Sequence, residues 1–452
     1  MGRLIKLTRR LVASGAVLAG GSVLAQGLFS STSAMADGAA GAAGAGGGSS
    51  VPDCTAIPGV TTSIIVSGSS AVQPSMAALG VKLATTSSGA TAVVYSKQGS
   101  CTGVSAIEGV VPATPGNALY WDATSGTAGK TCTLPGNTPV DVGVSDVFAT
   151  SCPGVKGGDL AAASAADFDT FFAQVMEFIV PGGDGGSDQT AISAEAAYLT
   201  FGFGTAGATP WNNQAQFVIR NNLSGTQTML SKAIGLDASK WIGFDESNEG
   251  GAAQIFLDIK NRQIPDPAFP TDKTKRLAGD PKKMIGIVSS GEADADTVNV
   301  KRLAFQASGQ TCAFWADSGV SEKDKKYVRD GHYDVWGPLH VFAKVDAQGA
   351  PTSAGAKTVI DFLSSKDVAD TTVLDVELSA NVVPLCAMNV SRTSELGAMS
   401  SVQPTGACGC YFDSKKKTGG AGTECVACTT ANAATKCTGD RKVCNYGFCE
   451  VK

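Results

Sequence analysis

The feature that most constrains the fold is a unit that occurs three times in the middle of the chain. In this unit a short apolar run leads into a turn rich in Gly, Ser and Thr, and a helical pattern begins directly after the turn. Apolar runs predict buried strands at residues 62–66, 92–95, 140–144 and 216–219. Apolar residues at helical spacing predict helices at residues 71–84, 192–201 and 226–234. Strands that alternate with helices of this length predict an α/β architecture.

The three turns have the composition of anion-binding loops. They read Ser-Gly-Ser-Ser at 67–70, Gly-Ser-Cys-Thr-Gly at 99–103 and Arg-Asn-Asn-Leu-Ser-Gly-Thr at 220–226. The first N–H groups of a helix have no partner inside the helix, and the helix dipole adds positive charge there. Together the turns predict a site that holds an anion with N–H groups, hydroxyls and one arginine. For any single turn, the alternative is ordinary N-capping by Ser or Thr.

A carboxylate follows the predicted strand 140–144 and restricts which anion the site can hold. Asp146 ends the sequence Asp-Val-Gly-Val-Ser-Asp at 141–146. An ionised carboxylate only accepts hydrogen bonds, so it repels an anion that carries no proton. Asp146 therefore favours monohydrogen or dihydrogen phosphate over fully ionised sulfate. The alternative is a surface Asp that caps the next helix.

The composition excludes several classes of protein. The 452 residues include 40 acidic and 35 basic side chains, for a net charge of −5, and 43% are hydrophobic. A chain with this balance is not disordered, and it lacks the basic face that nucleic acid requires. Two histidines leave little room for His-based metal sites or His-base catalysis. The length suffices for about two or three domains with a large core.

The first 36 residues have the pattern of an export signal. Basic residues precede a short apolar stretch at 11–25, which is too short to cross a membrane. Ala-Met-Ala at 34–36 predicts cleavage before Asp37, and cleavage after Ala25 is the alternative. We expect a Sec-type signal and a mature protein that is soluble and exported to the periplasm or cell surface. The Gly-, Ala- and Ser-rich residues 37–53 predict a flexible linker.

The last 45 residues, 408–452, are unusually rich in cysteine. They contain seven of the 13 cysteines in the chain: Cys408, Cys410, Cys425, Cys428, Cys437, Cys444 and Cys449. In an exported chain this density predicts a disulfide-rich module whose core is too small to fold without cross-links. A redox motif or half a zinc site at Cys425-x-x-Cys428 is the alternative. Because seven is odd, one cysteine pairs with the body, pairs between chains or stays free.

The turns, taken in order, resemble the motifs of the periplasmic phosphate-binding proteins of ABC phosphate transporters. Residues 67–71 are similar to the first loop of that family, and residues 99–103 to its Gly-Ser-Ser-Gly-Gly loop. Residues 141–146 match its Asp-Phe-Gly-Ala-Ser-Asp motif. Arg220 and the Ser-Gly-Thr at 224–226 match its Arg-x-x-x-Ser-Gly-Thr motif. The resemblance covers roughly residues 60–400, and more loosely after 230.

The resemblance implies a fold and a domain organisation. The fold is an α/β type II periplasmic binding protein with two lobes and a hinge, followed here by the disulfide-rich module. The phosphate-binding body would span 54–407. Its first lobe would comprise about 54–160 and 331–407, and its second lobe about 161–330.

The resemblance also assigns roles to individual residues. Phosphate would be gripped between the lobes, with Arg220 giving a charge-assisted fork and Asp146 accepting the phosphate proton. The expected phosphate-binding residues of the first lobe are Ser70, Ala71, Ser100 and Asp146. Those of the second lobe are Arg220, Ser224, Gly225 and Thr226. No metal or cofactor is expected.

The sequence departs from the family at two of these positions. Ala71 stands where the family has Phe, so only its backbone N–H can serve. Asn222 stands where an acid often pairs with the arginine, which leaves Arg220 less neutralised. We also expect a disulfide from Cys101 to Cys132 or Cys152, and the six body cysteines can pair evenly among themselves.

These observations predict an exported solute-binding protein that captures inorganic phosphate for ABC-type uptake, with a transporter permease as its partner. An alternative is a cell-surface interaction or phosphate-sensing protein that uses its Cys-rich tail to attach to an envelope or matrix component. A phosphate hydrolase on the same scaffold is a third hypothesis. We expect no enzyme, because no pairing of a nucleophile with a base and no metal cluster is recognisable.

Overall fold

The structure is a computed structural model, and it describes residues 51–451 apart from 110–114, 123, 127, 249, 270–271, 273 and 366–370. The predicted signal peptide, 1–36, lies outside the described residues, as does the linker up to residue 50. The described residues belong to one compact unit, Gly48–Lys452. No helix in this part of the chain has the length and apolar composition needed to span a bilayer.

The strands and helices alternate through the central part of the chain. The strands are β1 (Thr62–Gly68), β2 (Thr91–Ser96), β3 (Gly116–Trp121), β4 (Lys130–Leu134), β5 (Val142–Ser145), β6 (Ala165–Pro181), β7 (Ala191–Ser193), β8 (Phe217–Ile219), β9 (Phe244–Asp245), β10 (Gln263–Pro265), β11 (Arg276–Ala278), β12 (Ile285–Ser289), β13 (Val300–Arg302), β14 (Ala304–Gln306), β15 (Trp336–Lys344), β16 (Val383–Pro384), β17 (Val390–Ser391), β18 (Ser400–Ser401), β19 (Val443–Asn445) and β20 (Phe448–Glu450). The α-helices are α1 (Gln73–Thr86), α2 (Ser100–Glu108), α3 (Asp159–Ala162), α4 (Ala194–Phe203), α5 (Gly225–Ile234), α6 (Ala252–Asn261), α7 (Ser290–Ala293), α8 (Lys326–Arg329), α9 (Ala354–Leu363), α10 (Thr372–Ser379), α11 (Gly409–Lys416) and α12 (Ala433–Lys436).

The predicted elements agree with the observed ones to within about two residues at each end. The four predicted strands correspond to β1, β2, β5 and β8. The helix predicted at 192–201 begins later, because residues 191–193 pair with β14 as strand β7. Ser193 then caps α4, since its Oγ accepts the N–H of Ala196 at 3.1 Å.

A large sheet of the described strands has the order β4-β3-β2-β1-β5-β15-β6-β12-β8-β9. Near one end, β1 runs parallel to both β2 and β5. Near the other end, β8 runs parallel to both β12 and β9. These parallel strands are buried, as Val66, Val144 and Ile287 illustrate, and that is why they read as unbroken apolar runs.

The long strand β6 joins the two ends of the sheet. Its first residues, from Ala165 to Asp169, pair with β15 beside β5. Its last residues, from Met176 to Pro181, pair with β12 and β13. We call the part around β1–β5, with helices α1, α2, α9 and α10, the first lobe. We call the part around β8, β9, β12 and β13, with helices α4–α7, the second lobe. The sheet therefore has the two-lobed α/β arrangement expected from the sequence.

Two disulfides lie within the first lobe, and one of them shows which of the two candidate cysteines pairs with Cys101. Cys101 pairs with Cys152, and Cys54 pairs with Cys132. Cys101 is the second residue of α2, and Cys152 follows shortly after β5. The Cys101–Cys152 bond therefore cross-links the start of α2 to the segment that follows Asp146.

The six body cysteines do not pair evenly among themselves, as the sequence would have allowed. Cys408 of the C-terminal segment pairs with Cys386 of the body, which accounts for the odd number in that segment. The body then has five cysteines for two internal bonds, and Cys312 is free and exposed. The remaining bonds of the segment are Cys410–Cys425, Cys428–Cys444 and Cys437–Cys449.

Candidate functional site

The turns that follow β1, β2 and β5 meet at one edge of the sheet. Because these strands are parallel neighbours, their carboxyl ends share that edge. The Gly99 N–H donates to Gly68 O at 2.9 Å, which ties the second turn to the first. Gly99 has φ +118°, a backbone conformation that side chains rarely allow, so glycine is needed at this close approach. The topology thus gathers the polar residues of three turns in one place.

Asp146 lies at the centre of this group and is 2% exposed. Its Oδ2 accepts hydrogen bonds from Ser69 Oγ at 2.5 Å and from Ser100 Oγ at 3.1 Å. Its other oxygen, Oδ1, is buried and has no hydrogen-bond partner in the described protein. A buried carboxylate oxygen without a donor is unfavourable. Asp146 is therefore arranged to accept one more hydrogen bond.

The carboxyl of Asp146 has a raised pKa. Burial raises the pKa to about 6 from the ordinary 3.8, although the hydroxyls of Ser69 and Ser100 lower it. The charge of Glu292 raises the pKa further, and that of Arg220 lowers it. At neutral pH the group is mostly ionised, so it acts as an acceptor rather than a donor.

This shift predicts a pH-dependent difference in stability between the wild type and Asp146→Asn. The folded pKa lies above the unfolded one, so folding loses stability as the pH rises from about 4 to above 6. Relative to Asp146→Asn, the ligand-free wild type should lose about 2 kcal/mol of unfolding free energy between pH 4.5 and 7.5. Urea unfolding of both proteins at the two pH values measures this difference. If the two proteins differ in unfolding free energy by the same amount at both pH values, the raised pKa of Asp146 is contradicted.

The first turn is held by a buried tyrosine that the sequence analysis did not single out. Tyr95, on β2, donates its hydroxyl hydrogen to Ser69 O. Burial, followed by the charge of Asp146, raises the pKa of Tyr95 well above 10, so the hydroxyl stays protonated. Ser69 Oγ also accepts the N–H of Ala71 at 3.1 Å. Tyr95 therefore positions the serine that holds Asp146.

The turn after β8 begins helix α5 in the second lobe. Ser224 is buried and caps the helix, since its Oγ accepts the N–H of Gln227 at 3.5 Å. The N–H groups of Gly225 and Thr226 have no acceptor within the helix because they belong to its first turn. The ten-residue helix adds the positive end of its dipole at the same place. This is the local structure that binds anions.

Arg220 lies directly after β8 and is only 3% exposed. Its Nε donates to Ser247 Oγ at 3.3 Å, and its backbone N–H donates to Gln227 Oε1 at 2.9 Å. The guanidinium packs on Gly251, where a Cβ would lie 3.0 Å from Cζ. No carboxylate of a described residue forms an ion pair with it. The guanidinium is therefore held by its hydrogen bond to Ser247 and its packing on Gly251 rather than by a direct ion pair.

A second carboxylate, Glu292, faces the same region from helix α7. This helix follows β12, the parallel neighbour of β8, and Ser289 Oγ donates to Glu292 Oε2. Burial lowers the pKa of Arg220, and the charge of Glu292 is the largest effect that opposes this. The same charge acts on Asp146. The charges of Asp245 and Asp146 also act on Arg220, so the site combines one buried arginine with three acids, which disfavours an anion that carries no proton.

The turns of the two lobes touch each other. The Cys101 N–H at the start of α2 donates to Leu223 O at 3.0 Å. A Cβ on Gly225 would overlap Ser100 Oγ and would lie 2.8 Å from Asp146 Oδ2. Glycine is therefore the residue that allows this contact.

The predicted site residues fall into three groups. Ser100, Asp146 and Gly225 come together across the two lobes, as described above. Arg220, Ser224 and Thr226 are buried in the second lobe at the start of α5 or just before it. Ser70 and Ala71 are only half-buried, and Ser69 is the residue of that turn that bonds Asp146. A role in phosphate binding stays a prediction for all eight.

The alternative of a metal site in the Cys-rich segment is not supported by its sulfur atoms. In the described chain, Cys428, Cys437 and Cys449 form a group whose sulfurs lie within 4.8 Å of one another. Each of these sulfurs already belongs to a disulfide. A sulfur in a disulfide is not a thiolate and does not serve as a zinc ligand.

Comparison with known proteins gives matches only among solved structures. No protein-family model matches this sequence, and no curated protein matches it. One similar structure is a protein from Clostridium perfringens with bound phosphate, which is assigned as a phosphate ABC transporter substrate-binding protein. The two share 15% identity and a TM-score of 0.45, with 71% of this chain and 99% of that chain covered.

Two further structures show the range of proteins with a similar fold. An ABC-type phosphate transport receptor from Vibrio cholerae has 15% identity and a TM-score of 0.42, covering 71% of this chain and 99% of that one. The reduced OxyR regulatory domain from Pseudomonas aeruginosa has 6% identity and a TM-score of 0.33, covering 67% and 96%. These similarities concern the fold alone.

Proposed function

We propose that this protein is an exported solute-binding protein that captures inorganic phosphate between its two lobes for ABC-type uptake. The single observation that carries the proposal is the state of Asp146. One of its oxygens is held by Ser69 and Ser100, and the other is buried without a donor. A protonated phosphate oxygen is a suitable donor for that second oxygen, and sulfate at neutral pH is not.

The other half of the site is suited to the charge of the ligand. Arg220 would neutralise the anion through its guanidinium, whose planar donors fit phosphate oxygens. The free N–H groups of Gly225 and Thr226 would donate to further oxygens, with the dipole of α5 behind them. Ser224 holds the start of this helix in shape. These residues bind and orient an anion, and none is assigned a catalytic step.

Binding would require a change in the distance between the lobes. The turns now touch through Gly225, Ser100 and Asp146, so the anion must be bound when the lobes are apart and enclosed when they approach. Contacts to both lobes would then stabilise the closed arrangement. We propose the lobe boundaries expected from the sequence, with the first lobe at about 54–160 and 331–407 and the second at about 161–330. Export through residues 1–36 and delivery to a transporter permease belong to the same proposal.

Calorimetric titration with phosphate and with sulfate tests the proposed ligand. We expect phosphate to bind at least about 100-fold more tightly than sulfate, because sulfate leaves the free oxygen of Asp146 buried against a negative charge. No binding of phosphate would exclude the proposed function. Equal affinities for the two anions would exclude the role of Asp146.

Asp146→Asn should reduce this selectivity. The amide has the shape of the carboxyl but can donate to a sulfate oxygen, so we expect the preference for phosphate to fall to within about tenfold. Asp169→Asn makes the same change at an exposed position on β6 and should leave the selectivity as it is. Unchanged selectivity in Asp146→Asn would contradict the assignment.

A further inference from the structure

The C-terminal Cys-rich segment packs against the body of the protein. Its first cysteine, Cys408, is bonded to Cys386, and the Cys408 N–H donates to Cys386 O at 2.9 Å. Cys386 follows β16, which pairs with the middle of β6. The segment is thus attached by a covalent bond next to the strand that joins the two lobes.

Helix α11 of the segment contacts the first lobe. Tyr411 Oη donates to Asp375 Oδ1 at 2.6 Å, and Asp375 lies on α10. Lys416 Nζ donates to Asn381 Oδ1, just after α10, at 2.5 Å. Helix α10 belongs to the first lobe because it packs on α1. Both ends of α11 therefore contact the α10 region of the first lobe.

The same helix contacts the second lobe. Asp413 Oδ1 accepts a hydrogen bond from Arg329 Nη1 at 2.5 Å, and the guanidinium of Arg329 lies 4.9 Å from the ring centre of Phe412. Just after the helix, the Thr418 N–H donates to Glu322 Oε2 at 3.0 Å. Phe412 is 1% exposed, so the contact is a packed one.

Residues 322–329 belong to the second lobe through a buried charge cluster. Arg302 on β13 donates to Glu322 O at 2.9 Å and to Asp294 Oδ1 at 2.6 Å. Lys325 Nζ donates to Asp294 Oδ2 at 2.7 Å, and Asp294 directly follows α7. Arg302, Lys325 and Asp294 are all at most 2% exposed. Residues 322–325 therefore move with the second lobe, and Arg329, whose Nε also donates to Ala387 O at 2.9 Å, lies where this segment meets the first lobe.

Helix α11 is itself held firmly. Glu450 on β20 accepts the N–H of Cys410 at 2.6 Å and that of Tyr411 at 3.4 Å, and its negative charge lies at the positive end of the helix. The three disulfides within the segment fix β19 and β20 beside it. The helix can thus transmit force between the residues that it contacts.

We propose that the C-terminal segment is a strap that joins the two lobes and limits how far they separate. Its contacts with Asp375 and Asn381 hold it to the first lobe, and its contacts with Arg329 and Glu322 hold it to the second. Separation of the lobes has to break or shift one of these sets. The strap therefore favours the closed arrangement whether or not a ligand is bound.

The distance between the lobes in the ligand-free, full-length protein tests the strap. Cys312 is free and exposed in the second lobe, and Lys82→Cys adds a second spin-label site on α1 of the first lobe. In this background Asp413→Lys places two cations together at Arg329. We expect the electron-resonance distance distribution to broaden and to shift to longer distances. A distribution equal to that without Asp413→Lys would overturn the proposal.

Two further variants separate the strap from a general effect on the segment. Asp440→Lys makes the same charge change at an exposed residue of the segment, and we expect it to leave the distribution unchanged. The swap of Arg329→Asp with Asp413→Arg restores an ion pair and should recover part of the narrow distribution. An equal broadening in Asp440→Lys, or no recovery in the swap, would overturn the proposal. The measurement needs no phosphate, so its outcome is independent of the proposed ligand.

Discussion

Arg220→Met should lower the affinity for phosphate by at least about 100-fold, which corresponds to about 3 kcal/mol. The reason is that Arg220 is buried and is the cation placed beside Asp146 and Glu292. Without it, the anion would meet the charges of Glu292, Asp245 and Asp146, balanced only by dipoles and by Lys97, whose charge interacts with that of Glu292. Calorimetric titration with phosphate at constant ionic strength measures the loss. Arg220→Lys keeps the charge without the planar fork, so its affinity should fall between those of the other two proteins.

Arg262→Met is the matched control for this change. Arg262 is in the second lobe, where its Nη2 donates to Gly182 O at 3.0 Å and to Asp184 O at 2.7 Å. Arg262→Met removes the same charge at a distance from the site. The phosphate affinity of this variant should therefore stay within about twofold of the wild type, as for screened surface charges. Wild-type affinity in Arg220→Met would show that the site is misplaced.

Gly225→Ala should lower the affinity about 10- to 100-fold while the protein stays folded. The added Cβ would overlap Ser100 Oγ and come within 2.8 Å of Asp146 Oδ2. This obstruction lies between the lobes, so it hinders closure more than folding. Alanine is also a better helix former than glycine, so α5 itself is not weakened. Titration with phosphate measures the effect on closure, and thermal unfolding measures the effect on folding.

Gly202→Ala provides the matched control in the same lobe. Gly202 is in helix α4, and a Cβ there would lie 3.4 Å from the nearest atom, on Leu236, which is ordinary contact. Its phosphate affinity should equal that of the wild type. If Gly225→Ala binds phosphate as the wild type does, the contact between Gly225 and Ser100 is not part of the closed, ligand-bound arrangement.

The sequence placed the turns that meet in the structure to within about a residue, and the differences have a simple cause. Each predicted turn lies at the end of a strand, because apolar runs and Gly–Ser turns are local properties of the chain. The choice of Ser70 over Ser69 depended on which hydroxyl points to Asp146. That direction follows from the backbone of the turn, and Tyr95 helps to set it from a different strand. Glu292 gave no signal, because its place beside Arg220 comes from the pairing of β8 with β12.

The disulfide pairing, too, could be predicted only in part from the sequence. Their number and clustering predicted disulfides and left open how the odd cysteine pairs. The partner of Cys408 depends on Cys386 lying beneath the segment, which no local pattern reveals. Cys312 stays free because the other five cysteines of the body are already paired, and nothing in the sequence around Cys312 marks it as the unpaired one.

The sequence by itself determined the α/β class, the strands that carry the turns and the kinds of residue that could bind an anion. It could do so because strand and helix patterns depend on neighbours a few residues apart. Only the tertiary structure decided that Gly225 meets Ser100 and Asp146, and that α11 contacts both lobes. These contacts join residues that are far apart in the chain. They form only when the two lobes and the C-terminal segment pack together, which the order of the residues does not display.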